Sequence, residues 1–85
     1  MTAQHYAVAP GMYLQEWLED EGLTQSQAAD RLGVSRKTVN GIINGKQPIS
    51  QETAIKLGRV TGIPADAWAR YEAKYRSDLA SIRYF

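Results

Sequence analysis

The chain has no cysteine, and its single histidine is His5. The first absence removes disulfides and thiolate metal sites, and the second removes any zinc site that needs two imidazoles. No apolar run approaches the roughly 20 residues that span a bilayer. The opening Met1-Thr2-Ala3-Gln4-His5 has no basic stretch leading into an apolar one, so a secretory leader is not expected. Between residues 18 and 67 there is no aromatic side chain, which excludes interleaved rings for stacking single-stranded bases. Period-two alternation, internal repeats and low-complexity stretches are missing too, so no sheet is expected. The 85 residues leave room for one core and none for a large buried cofactor. These absences predict a soluble, cytoplasmic single domain that carries no metal or cofactor and is not an enzyme.

What is present is unevenly placed. Residues 1–33 hold Glu16, Glu19, Asp20, Glu21 and Asp30 against Arg31 alone. Residues 34–62 reverse the sign, with Arg36, Lys37, Lys46, Lys56 and Arg59 against Glu52. The net charge of +1 therefore hides a polarised molecule whose middle suits an anion. The acids have no nucleophile or metal ligand nearby, and read as a solvated face. His5 reads as a solvated residue of an arm, and Trp17 as core.

The pattern breaks into five helices. Pro10 suits a helix start, Leu14, Trp17 and Leu18 form an apolar stripe, and Gly22 suits a helix end. Thr24 and Gln27 have the spacing of a capping box for a second helix, with Ala28, Ala29 and Leu32 inward and Gly33 ending it. Ser35 caps a third helix over about 35–44, in which Val39, Ile42 and Ile43 point inward and Asn44-Gly45 stops the run. Ser50 caps a fourth, with Ala54, Leu57 and Val60 inward, ended by Thr61-Gly62. Pro64 starts a fifth that carries Trp68, Tyr71, Tyr75, Leu79 and Ile82.

Residues 25–44 carry the functional signal. Two short helices flank a glycine turn, with small Ala29 where they cross, so the second helix is held ready to enter a major groove. The string LTQSQAADRLGVSRKTVNGIINGKQPIS resembles the phage-repressor-like (Xre-type) DNA-binding domain. With PGMYLQEWLEDEG before it and QETAIKLGRVTGIPADAW after it, the chain looks most like the HigA antitoxin family over roughly residues 8–80. Members of that family pair with a ribosome-dependent, mRNA-cleaving toxin. The resemblance implies an all-α, five-helix bundle of lambda-repressor-like type. It also implies a sequence-specific repressor of duplex DNA that acts on its own promoter as an antitoxin.

The chemistry agrees. Arg36 and Lys37, in the first turn of the third helix, can donate to guanine edges, and Asn40 can read adenine. Ser35 and Thr38 can bond bases or phosphates. By the resemblance, Gln25 touches the DNA backbone, and Asn44 and Lys46 close the motif against phosphate. Gly41 departs from the pattern, since repressors of this type usually carry a base-reading polar side chain there. Either the backbone comes unusually close to DNA at Gly41 or readout is reduced.

The expected organisation is a flexible arm at 1–9, the helix-turn-helix domain at 10–64, and a C-terminal helix at 65–85. Tyr71, Tyr75, Leu79 and Ile82 lie on one side of that helix and exceed what a small core needs, so they are expected to meet a second copy or another partner. The partners expected are an operator, a second copy in a homodimer and, by the resemblance, a toxin. Two other readings stay open: a phage or prophage repressor with no toxin, and a protein–protein adaptor that has lost DNA binding.

Overall fold

The structure, a computed structural model, describes residues 7–83. It contains α1 (Gly11–Glu21), α2 (Gln25–Leu32), α3 (Arg36–Ile43), α4 (Gln51–Thr61) and α5 (Ala65–Arg83), with no strand among the described residues. The expected all-α bundle of five helices is the one found. His5 and most of the expected arm, residues 1–6, lie outside the described residues, while Ala7, Val8 and Ala9 are half-buried.

Local chemistry sets the helix ends. The Thr24 hydroxyl accepts from the Gln27 N–H at 3.1 Å, and Gln27 Oε1 accepts from the Thr24 N–H at 2.9 Å, which completes the capping box. Ser35 and Ser50 accept from the N–H groups of Thr38 and Thr53 at 3.0 and 3.2 Å. Gly22 and Gly33 close α1 and α2 at φ 67° and 73°, the left-handed region that glycine enters without strain.

One core joins all five helices. It contains Leu14 and Leu18 of α1, Ala28, Ala29 and Leu32 of α2, Val39 and Ile42 of α3, Ala54 and Leu57 of α4, and Trp68 of α5. Ile49, in the loop after α3, completes it. Ile43 and Val60, expected fully inside, are only partly buried against this cluster. Trp68 is wholly buried, and its indole N–H donates to the Thr61 hydroxyl at 3.3 Å. That hydroxyl donates in turn to the Leu57 carbonyl at 2.7 Å, so the buried polar tip is satisfied by the end of α4.

The α1–α3 crossing is tighter than any sequence pattern shows. A Cβ built on Gly11 would lie 2.0 Å from the Ile42 carbonyl oxygen and 2.5 Å from Ile43 Cα. Only a residue without a side chain allows these two backbones to touch.

The C-terminal stripe is partly engaged within its own chain. Tyr71 is not left over: its ring stacks on Tyr13 at 4.5 Å between centroids and meets Trp68 edge-on at 5.9 Å. Tyr75 reaches back to the turn after α3, where a Cβ on Gly45 would lie 2.9 Å from its hydroxyl. Both tyrosines spend apolar surface inside their own chain. Leu79 and Ile82 are half-buried further along α5.

Candidate nucleic-acid interface

The α2–turn–α3 unit presents one polar face. Val39 and Ile42 anchor α3 in the core at 0% and 3% exposure, which leaves Arg36, Lys37 and Asn40 on its outer side. Asn44, the C-terminal cap of α3, and Lys46, in the turn that follows, are also exposed. Ala29, 4% exposed, lies in the core beneath the unit, as its small size predicts. The Gly33 and Val34 N–H groups both donate to the Ala29 carbonyl, at 2.9 and 3.1 Å, which folds the turn tightly onto α2.

The charges on this face are uncommitted. Arg31, Lys56, Arg70, Lys74 and Arg76 each lie within ion-pair distance of an acid, respectively Glu21, Glu52, Asp66, Asp78 and Glu72. The hydrogen bond from Arg70 holds the Asp66 carboxyl below its ordinary pKa. Among the described residues, Arg36, Lys37, Lys46 and Arg59 have no such partner. Three of these four lie on α3 or in the turn that follows it. Cations without an intramolecular carboxylate are the ones free to neutralise phosphate.

The polar residues expected to act singly are coupled. Asn40 Nδ2 donates to Gln25 Oε1 at 3.1 Å, and Asn44 Nδ2 donates to Asn40 Oδ1 at 3.1 Å. This amide ladder ties the first residue of α2 to the end of α3. Asn40 keeps one N–H and one lone pair for DNA, and its orientation is set by its neighbours. The Ser35 and Thr38 hydroxyls lie 2.9 Å apart and share a hydrogen bond, so both serve the helix cap before anything else.

Gly41 lies under the turn that follows α3. Its carbonyl accepts from the Lys46 and Gln47 N–H groups at 2.9 and 3.0 Å, folding the turn back onto α3. A Cβ at Gly41 would then lie 3.0 Å from Gln47 Cβ and 2.9 Å from Gln47 Oε1. The expected alternatives, close approach of DNA or lost readout, did not include cover by the chain itself. The available signal was a missing side chain on α3 paired with a long polar residue in the following turn.

A separate groove lies between α4 and α5. It encloses about 560 Å³ and is lined chiefly by Ile49, Ala54, Ile55, Ala65, Ala69 and Ala73. It contains none of the α3 residues.

A helix-turn-helix family model (HTH_3) matches residues 14–68, which take in α2, the turn and α3. The chain belongs to the helix-turn-helix family. This helix-turn-helix chain is 35% identical over 74 residues to virulence-associated protein A′ of Dichelobacter nodosus, covering 86% of itself but only 63% of that relative. Among solved structures it is similar to PA4674 of Pseudomonas aeruginosa, crystallised with an 18-base-pair operator DNA. The identity is 31% and the TM-score 0.83, covering 91% of this chain and 84% of that one. It is also similar to the antitoxin HigA of Pseudomonas aeruginosa, solved with the higBA promoter, at 32% identity and TM-score 0.83, over 88% and 83% of the two chains.

Proposed function

We propose that this helix-turn-helix protein is a transcriptional repressor that reads duplex DNA with α3, and that it serves as the antitoxin of a toxin–antitoxin operon whose promoter it represses. It acts by binding and not by catalysis, in the cytoplasm where the operon lies. The observation that carries this reading is the set of unpaired cations, Arg36, Lys37 and Lys46, on an α3 anchored by Val39 and Ile42. The likeness to an antitoxin bound to its promoter and to a second protein bound to an operator supports it.

In this reading Arg36 and Lys37 contact base edges, and Ser35 and Thr38 add hydroxyl contacts at the start of α3. Gln25, Asn44 and Lys46 hold phosphates, and Asn40 aligns the amides between them. The adaptor reading rested on Gly41 alone. Gln47 lying over Gly41 supports a reading of that glycine that needs no loss of DNA binding.

A second copy completes the reader. An 18-base-pair operator, the length bound by the PA4674 relative, is nearly two turns of DNA and has room for half-sites one turn apart. Leu79 and Ile82, beyond the part of α5 held by Tyr13 and Gly45, supply the surface for that contact. A toxin partner would be encoded beside this chain, and its absence from the operon would favour the phage-repressor reading.

The test is binding to duplex DNA from upstream of the chain's own reading frame, at one fixed salt concentration. Arg36→Ala and Lys37→Ala should each weaken binding by about 1–3 kcal/mol, and Lys46→Ala should make the salt dependence shallower by about one unit of slope. Undiminished affinity in the Arg36→Ala, Lys37→Ala double variant would show that α3 is not the reader.

A further inference from the structure

The amide groups of the motif differ in what they have left to offer. Gln25, Asn40 and Asn44 are bonded to one another. Gln47 is exposed, and among the described residues no hydrogen bond engages its side chain. Its main chain is fixed, because its N–H and that of Lys46 both donate to the Gly41 carbonyl. Its side chain crosses the space above Gly41, with Oε1 2.9 Å and Cβ 3.0 Å from where a Gly41 Cβ would sit. Gly41 is four residues beyond Lys37, hence on the same side of α3 and one turn further along. Gln47 therefore extends the outer surface of α3 from a position outside the helix.

We propose that Gln47 is a specificity-determining residue that reads a base edge in the slot beside Gly41. A free amide offers one donor and one acceptor side by side, which matches the N6 and N7 edge of adenine in the major groove. A bare Gly41 leaves that slot open, and a Cβ there would press on the Gln47 side chain. The inference rests on α3 being the element that enters DNA.

The experiment uses the full chain and a library of synthetic duplexes with a randomised centre. The sequence that the wild type enriches is then titrated at fixed salt, together with every single base-pair substitution of it. The wild type should disfavour substitution of one adenine per half-site by about tenfold or more. Gln47→Ala should erase that discrimination and leave the other positions unchanged. Gln47→Glu, an acceptor without a donor, should move the preference at that position to cytosine. Because Gln47 is exposed, both variants should melt near the wild type. Equal weakening on all duplexes by Gln47→Ala would assign Gln47 to the backbone and overturn the proposal, as would intact discrimination at every position. Enrichment of no sequence by the wild type would instead overturn α3 as a reader, and this inference with it.

Discussion

Gly11→Ala adds one methyl group to an 85-residue chain and should be among its more damaging substitutions. The new Cβ would sit 2.0 Å from the Ile42 carbonyl oxygen, 2.5 Å from Ile43 Cα and 2.7 Å from the Ile42 carbonyl carbon. Comfortable carbon–oxygen contacts begin near roughly 3.3 Å, so α1 and α3 must separate by more than about 1 Å. No rotamer change can relieve this, because all three obstacles are backbone. Overpacking in a tight core costs about 1–3 kcal/mol. The gain in helix propensity from glycine to alanine is at most about 1 kcal/mol, and less in the first turn, where Gly11 sits.

The balance is a loss of about 1–2 kcal/mol. For a domain of this size each kcal/mol lowers Tm by about 4–8 °C, so thermal unfolding followed by circular dichroism should show a fall of at least about 4 °C. Operator affinity should fall as well, because the displaced element is α3. Gly58→Ala is the comparison. There the Cβ would meet Ala65 N at 3.0 Å and the Ile63 carbonyl oxygen at 3.3 Å, tight contacts but without the overlap found at Gly11. Its Tm should drop less than that of Gly11→Ala. An unchanged or raised Tm for Gly11→Ala would mean that the two helices do not touch there, and the packing argument would be wrong.

Ala29→Leu should destabilise the fold by about 1–3 kcal/mol by wedging α2 from α3, measured as a lower urea midpoint, with DNA binding lost in parallel. Asn40→Ala breaks both hydrogen bonds of the amide ladder, so it should weaken binding across all duplexes. A loss confined to one base pair would make Asn40 a base reader instead. Leu79→Asp with Ile82→Asp should give a folded monomer with weak operator affinity. Sedimentation showing that the wild type is already monomeric at concentrations where it binds DNA tightly would remove the dimer.

The features legible in the sequence are those set by neighbours along the chain. Thr24 and Gln27 are three residues apart, and a capping box needs nothing else. Gly22 and Gly33 stop helices because a residue's own φ decides the matter. The period of Leu14, Leu18, Val39, Ile42, Leu57 and Trp68 marks the inner faces before any helix is placed. The cationic start of α3 is likewise a local fact. Other features depend on distances between residues far apart in the chain. Nothing local marks Gly11, because the α3 backbone that excludes a side chain there arrives only with the fold. Tyr71 reads as interface along the helix, and only the fold shows its ring stacked on Tyr13. Gln25 and Asn40 are separated by fifteen residues, and only the helix crossing makes them one hydrogen-bonded unit. Gly41 read as a deficiency because a helical pattern cannot show that a following turn folds back and lays Gln47 over the gap. Periodicity assigns a residue to a face; which atoms lie opposite that face is set by the crossing of helices, and for that the tertiary structure was required.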